Sequence, residues 1–392
     1  MVYELIELAK QFDEFFLHCF VIEGEHARDE LSLPSGLMLV DLGRVMGGLD
    51  LYGHPLRLWR RVIGSAQRGD WSYAVLAEPG LTSLAALIAC GLVGRSAVAL
   101  VRGDPAVGGI AYRHRGLRAG LGWSLQRFRV LMQWVFAFTV AIITDSDVVA
   151  DRLSARGAEV HCVAAASISE DQVLPPGNGW AGVGPLRLVF VGRLERVKDI
   201  ETLLEAVRGA SMTGRNLTLR IVGSGDAAYT ALLHRRVQEL ALQEIVDFVG
   251  AVEHGSDLYR NYQNSHVLVL SSRSEGMPKV VIEAMAHGLP VVGTTVGGLP
   301  RLVSRRVGIL VEPGDPEALS AALVTLHDSP TLARSMSAAA RTEAKSWLAG
   351  PVSREFAAMV ATASRRPHLR IGIERPREEG LGNVGASAAR ED

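Results

Sequence analysis

The sequence predicts an α/β protein of two Rossmann-like, doubly wound parallel-sheet domains. Three observations carry that prediction. Short apolar runs alternate with helical stretches along both halves of the chain, the pattern of parallel strands joined by crossovers. A segment rich in Pro and Gly, residues 164–185, interrupts the alternation and reads as a link between domains. Residues 267–293 write out a βαβ unit in full. The apolar run 267–270 is a buried strand, Glu275-Gly276 turns the chain, and a helix runs from Pro278 to about His287. Gly288 and Pro290 stop it, and 290–293 is the next strand.

In chain order, residues 2–16 read as an amphipathic helix, with Leu5, Ile6, Leu8, Ala9, Phe12 and Phe16 on one broad face. Strands follow at 17–22 and 37–41. A helix over 54–68 ends at Gly69, and a strand at 72–77 leads to a helix over 81–90. The strand at 97–101 ends in Arg102-Gly103-Asp104. The apolar stretch 130–143 is about 14 residues, too short to span a bilayer, and reads as a helix end joined to a strand at 140–144. A helix over 146–156 and a strand at 160–163 close the first domain, drawn at 1–170. The link is drawn at 171–185.

The second domain, 186–350, is more regular. Strands are expected at 186–191, 217–222, 245–249, 267–270, 290–293 and 308–311. Helices are expected at 199–208, 228–242 and 256–264, and one starts at Asp315-Pro316-Glu317, with an N-cap Asp and Pro at the first helical position. A further helix covers about 351–364. The tail 365–392, rich in Arg, Glu, Gly and Pro, is expected to be disordered.

Bulk properties exclude several classes. A length of 392 residues suits two domains, and 48% hydrophobic with 21% charged residues is a globular composition. A net charge of −1 speaks against a dedicated nucleic-acid binder. Cys19, Cys90 and Cys162 are far apart with no metal-ligand spacing, as expected of small buried hydrophobes in a reducing cytosol. The opening residues carry early acids and no cleavable leader pattern, so a cytoplasmic location is expected.

The chemistry concentrates around 271–300. Glu275 lies in the loop, and Glu283 sits about one turn inside the helix. The helix N-terminus offers unpaired N–H groups and a positive dipole end to phosphate. Carboxylates accept hydrogen bonds from hydroxyls, so this combination suits a nucleotide sugar. The alternative is a surface Glu and a Glu satisfied within the helix. At the end of the first strand of this domain, Gly192 allows close backbone approach, Arg193 can fork two phosphate oxygens, and Lys198 adds a point charge. Alternatively, Arg193 pairs with a nearby acid such as Glu195.

The run EGMPKVVIE followed by AMAHGLPVVGTTVGG resembles the signature of the GT4-type retaining glycosyltransferases of the GT-B fold, in which two such domains face a cleft. The resemblance is strong over about 186–325 and architectural over 1–165. It implies that Glu275 contacts the donor sugar and Glu283 the ribose, with Gly276, Met277, Pro278 and Lys279 in the same donor loop. It implies diphosphate binding by Gly192, Arg193 and Lys198, a nucleotide-facing loop at Gly223-Ser224-Gly225, and base readout by the backbone at Val249, Gly250 and Ala251. The catalytic set is then Glu275, Arg193 and Lys198, with Asp104 as a candidate base on the acceptor side. The alternative for Asp104 is a turn-capping role.

No cofactor and no metal are implied, the donor being a UDP-, GDP- or ADP-sugar. The expected reaction is hexosyl transfer to a glycan or lipid-linked acceptor in envelope or exopolysaccharide synthesis. The alternatives are a catalytically weak or regulatory relative, or a nucleotide-sugar epimerase. The sequence departs from the family pattern in four places. The opening strand and glycine-rich loop are expected to be missing, either because the start lies too late or because the chain lacks them. Ala165-Ala166-Ser167-Ile168 replaces an Asn-Gly-Val-Asp type turn, Asp199 stands where Gly usually follows the Lys, and Arg301 stands where Glu is common.

One more stretch stands out. Between Asp104 and Asp145 there is no acidic residue, and the interval carries Arg113, Arg115, Arg118, Arg127 and Arg129 with Trp123, Phe128 and Trp134. Such a stretch can lie peripherally on an anionic membrane at its inner face. The alternative is an ordinary solvated helix face.

Overall fold

The computed structural model describes residues 168–363 apart from 176 and 178. Before them it describes 15–22, 37–45, 73–77, 96–101, 130–137, 141–144 and 147–162, with positions 84, 87, 88, 127 and 139. Asp104, the expected helix over 54–68, the tail and most of the basic interval lie outside these residues.

Strands β1 (Phe15–Ile22) and β2 (Leu37–Val45) form a parallel pair, in which Phe15 and Phe16 stand opposite Leu37 and Met38. Phe15 and Phe16 are therefore strand and not the end of the expected helix over 2–16, whose other residues lie outside the described ones. The run FFLHCFVI is aromatic and β-branched, and here strand propensity prevails over the helical spacing of its first two residues. β2 runs four residues past its expected end, beyond an irregularity in pairing between Cys19 and Val21.

The first of the two larger sheets has four parallel strands in the order β3-β4-β5-β6: Tyr73–Ala77, Ser96–Val101, Ala141–Thr144 and Val160–Cys162. Its faces follow the period-2 rule. Val98, Ala141 and Ile143 join the large core that continues into the second sheet. Ala99, Val101 and Ile142 point the other way, onto Phe136 and Ala137 of the helical segment 130–137 and onto Val149 and Leu153 of α1 (Asp147–Ser154). The stretch 130–143 is thus a helix end and a strand, as its length required. Trp134 is part of this packing and carries the Arg156 guanidinium 4.4 Å from its ring centroid.

The second sheet comprises β7 (Leu186–Val191), β8 (Leu217–Val222), β9 (Val246–Gly250), β10 (Val267–Leu270), β11 (Val291–Thr294) and β12 (Gly308–Val311). Their order is β12-β11-β10-β7-β8-β9, all parallel. From β7 the chain winds outward through β8 and β9, then returns to lay β10 on β7's other edge. The β7/β10 boundary is therefore the topological switch point, where open α/β sheets bind ligands beyond the carboxyl ends of the strands.

The helices of this domain are α2 (Ile200–Met212), α3 (Ala227–Glu239), α4 (Ser256–Gln263), α5 (Lys279–Ala286), α6 (Leu299–Leu302), α7 (Pro316–Asp328), α8 (Pro330–Ala344) and α9 (Ala349–Ala363). Asp226 caps α3, accepting from the backbone N–H groups of Ala228 and Tyr229, and Asp315 caps α7 through Ala318. α6 and α8 have no counterpart in the sequence expectations. The buried stripe of α8 is Ala333, Met336, Ala340 and Ala344, and its three alanines give little hydrophobic signal yet allow close packing on α5.

Residues 171–185 are pinned to the second domain at Trp180. Its indole is buried, donates to the His327 carbonyl at 3.1 Å, and lies between the rings of His266 and His327. At the start of α9, the Ala349 N–H donates to the Ile168 carbonyl at 3.0 Å. No helix among the described residues is long and apolar enough to cross a membrane.

Candidate functional site

The loops leaving β7 and β10 meet at the switch point. Four hydrogen bonds stitch the neighbourhood together. The Arg273 N–H donates to the Val197 carbonyl at 2.8 Å, and Ser271 Oγ donates to the Lys198 carbonyl at 2.9 Å. Thr294 Oγ1 donates to the Ser272 carbonyl at 2.6 Å, and the Gly298 N–H donates to the Gly276 carbonyl at 2.8 Å. The last bond lays the 295–298 turn against the loop that follows β10. An added Cβ at Gly297, where φ is +52°, would stand 1.9 Å from the Glu275 carbonyl oxygen, so only glycine fits this crossing. At Gly276 an added Cβ would meet open space.

Within this frame Lys198 Nζ lies 2.6 Å from Glu275 Oε1, and Ser272 Oγ donates to the same oxygen at 2.5 Å. Both charges are largely enclosed, the side chains being 18% and 8% exposed. Lys198 and Glu275 were expected from the sequence, but their direct pairing was not. Ser272 was not singled out at all, although its place three residues before Glu275 could have suggested it.

Asp199, which follows Lys198, adopts a left-handed backbone with φ 48° and ψ 48° at the N-cap of α2. That conformation is why glycine suits the position. Asp tolerates it better than most residues. Its carboxylate accepts from Thr202 Oγ1 at 2.9 Å and pairs with Arg273 Nε at 2.9 Å, a second link between the two loops.

Arg193 takes the alternative partner. Its Nη1 lies 2.7 Å from Glu195 Oε1, and the side chain is 67% exposed. The ends of β7, β8 and β9 lie in step. The Gly192 N–H donates to the Val222 carbonyl at 3.0 Å and the Gly223 N–H to the Gly250 carbonyl at 2.7 Å. An added Cβ at Gly223, φ +141°, would fall 1.8 Å from the Gly192 carbonyl oxygen. Gly225 bridges to Leu194 in the same ladder, so all three glycine loops line one edge. Val249 is exposed at the end of β9, and Ala251 follows it, also exposed.

Pro278 is the N-cap of α5, and Lys279 its first helical residue. Met277 is buried. Glu283, four residues into the helix, is 3% exposed. Tyr262 Oη donates to its Oε2 at 2.8 Å, and His254 Nε2 lies 3.2 Å from its Oε1. The carboxylate is thus partnered by side chains from α4 and from the loop that follows β9. Burial and the adjacent carboxylate push the Tyr262 phenol well above its ordinary pKa, so it remains a donor. Tyr262 and His254 carry no local sequence signal for this role, since they reach Glu283 through the fold.

Arg301 Nη2 donates to the Cys162 carbonyl of β6 at 3.2 Å, and the guanidinium lies 5.6 Å from the Trp347 ring centroid. Its charge thus serves a contact with the first sheet. Among the described residues, no cluster of three or more His, Cys, Asp or Glu is placed to hold a metal ion.

Residues 185–329 match the family model described as Glycosyl transferases group 1. A D-inositol 3-phosphate glycosyltransferase of Streptomyces griseus is 34% identical over 196 residues, 44% of this chain and 41% of that protein. The amylovoran biosynthesis glycosyltransferase AmsK of Erwinia amylovora is 33% identical over 149 residues, 36% of each. The chain thus spans less than half the length of either relative.

Among solved structures, sucrose-phosphate synthase from Thermosynechococcus elongatus superposes with a TM-score of 0.66 at 19% identity, covering 88% of both chains. Anabaena HepE in complex with UDP and glucose superposes with a TM-score of 0.64 at 17% identity, covering 92% of this chain and 95% of that one. At such identities the likeness bears on the fold.

Proposed function

From a second domain that belongs to the group 1 glycosyltransferases, in a chain of GT-B fold, we propose a retaining glycosyltransferase that moves a hexosyl group from a nucleoside-diphosphate sugar. The observation that carries the reading is the Lys198–Glu275 pair at the switch point, beside the N-terminus of α5. A cation for the diphosphate and an acceptor of hydroxyl hydrogen bonds for the sugar then stand side by side.

In the proposed reaction the bond from the sugar's anomeric carbon to the diphosphate breaks. The leaving charge is held by Lys198, by Arg193 swung from Glu195, and by the first N–H groups of α5. The acceptor oxygen bonds to the anomeric carbon on the same face. Its proton passes to the departing phosphate oxygen, and a nucleoside diphosphate leaves. Glu283 takes the ribose hydroxyls, and Asp104 remains the candidate base on the acceptor side. Positive side chains supply the charge stabilisation, so turnover is expected to survive EDTA. Loss of activity restored by Mg²⁺ or Mn²⁺ contradicts this mechanism.

Relatives named for amylovoran and colanic acid biosynthesis support a glycan acceptor in exopolysaccharide synthesis. The basic interval 104–145 supports a lipid-linked acceptor met at an anionic membrane surface. The test of the whole reading is a thermal-shift panel of UDP, GDP and ADP, because a ligand bound only by the folded chain raises apparent stability. It is followed by assay of the corresponding sugar donors for hydrolysis and transfer. Binding of one nucleotide with release of its sugar supports an enzyme, and binding without turnover supports a regulatory relative.

A further inference from the structure

His254 belongs neither to the sequence motifs nor to the roles assigned so far, yet like Tyr262 it contacts the Glu283 carboxylate. The two differ in character. Tyr262 is fully buried and secures Oε2 from inside the domain. His254 is 39% exposed and reaches Oε1 from the loop after β9. Oε1 is thus the oxygen beside the more exposed partner, and a hydroxyl that meets it arrives next to the His254 ring. The ring has a fixed bearing. It stands edge-on to Tyr259, centroids 5.5 Å apart and planes at 82°, with Tyr259 Oη 3.5 Å from the same Nε2. Tyr259 is buried and packs in turn on the His287 ring, whose Nδ1 donates to the Glu283 carbonyl at 2.7 Å. Backbone and side chain of Glu283 are thus clamped by one aromatic cluster, and His254 is its exposed member.

We infer that His254 is a positioning residue for nucleoside recognition. It fixes the outer oxygen of Glu283 so that a second lone pair meets the ribose hydroxyls, and it ties the base-side loop to the ribose carboxylate. A carboxylate oxygen accepts two hydrogen bonds, so the histidine and a ribose hydroxyl can share Oε1. Without the histidine the outer oxygen is free to rotate away, and the hydroxyls lose a preorganised acceptor. This inference rests on the proposed nucleotide-sugar site.

The test measures affinity for UDP, GDP and ADP and for their 2′,3′-dideoxy counterparts, in the full chain and in His254→Ala and His254→Gln. The wild type is expected to favour the hydroxylated form of its preferred nucleotide by at least about tenfold, the worth of a hydrogen bond to a charged group. His254→Ala is expected to lose most of that preference while binding the dideoxy nucleotide within about twofold of the wild type. His254→Gln, which keeps an N–H donor for Oε1, is expected to recover part of it. A merely structural role would weaken both nucleotide forms together. An undiminished preference in His254→Ala, equal behaviour of the Ala and Gln variants, or tighter ribonucleotide binding once the ring is gone overturns the inference and leaves the proposed site standing. A wild type that binds none of the nucleotides, or ignores the missing hydroxyls, overturns both.

Discussion

Lys198 and Glu275, 77 residues apart in sequence, share an ion pair of 2.6 Å at the junction of the β7 and β10 loops. Each neutralises the other, and neither has much contact with water. Lys198→Ala leaves a mostly enclosed carboxylate with Ser272 as its partner among the described residues. It should lower stability by about 1–3 kcal/mol, below the range for fully buried pairs because some solvent reaches both groups. Glu275→Gln keeps an acceptor for Ser272 and should cost less. Urea unfolding of the two variants checks the order.

Asp199 combines a strained backbone with a useful carboxylate. Asp199→Ala keeps the left-handed conformation and loses Thr202 and Arg273, so a loss of about 2 kcal/mol is expected. Asp199→Gly loses the same contacts and relieves the strain, and should be about 1 kcal/mol more stable than the alanine variant. Equal denaturation midpoints for the two would contradict this account of the missing glycine.

The ribose-binding role proposed for Glu283 is separable from its observed contact with Tyr262. Glu283→Ala is expected to weaken nucleoside-diphosphate binding about ten- to a hundredfold, and to destabilise the fold by stranding the Tyr262 hydroxyl. Adding Tyr262→Phe removes the stranded donor and should restore part of the stability without restoring affinity. Paired melting curves and titrations separate the effects.

His266 gives the fold a pH dependence. Burial first, and the nearby Arg187 charge second, lower its pKa from 6.5 to about 4. Its Nδ1 accepts the Arg187 N–H at 3.0 Å, which requires that nitrogen to be unprotonated. The unfolded chain therefore binds the proton more readily between these two values. Stability is complete above about pH 6.5 and falls as pH drops towards 4, by up to about 1.4 kcal/mol per unit. Burial lowers the His287 pKa too, and it adds to the same trend. Melting temperatures across this range should fall less steeply in His266→Gln.

The strands were the most legible part of the chain. β7, β8, β10 and β12 lie where short, mostly apolar runs placed them: β10 is apolar and buried throughout, and the polar residues of β7 and β8, Arg187, Thr218 and Arg220, take only half-buried positions. Lys198, Glu275 and Glu283 were singled out because they closely follow those strands in sequence, and the fold brings Lys198 and Glu275 into contact. What escaped depends on the third dimension. Tyr262 meets Glu283 from a different helix, His254 from a loop beyond β9, and Arg273 meets Asp199 across the switch point. α8 escaped for another reason, since its buried stripe is mostly alanine. At Phe15 and Phe16, helical spacing pointed the wrong way because two aromatic residues fit either period.

The strand order also sets a schedule. During synthesis β7 can pair with β8 as soon as β8 emerges, but its other edge waits for β10. The same delay separates Lys198 from its counter-charge, 77 residues later. At ribosomal rates of about 5–20 residues per second, this interval lasts on the order of 4–15 s. For that time the growing chain carries an open apolar strand edge and a lone ammonium beside it. An unpaired edge invites association with other chains, and a nearby charge discourages it. Lys198 thus stands as an uncompensated charge beside the nascent sheet until its partner strand and Glu275 arrive.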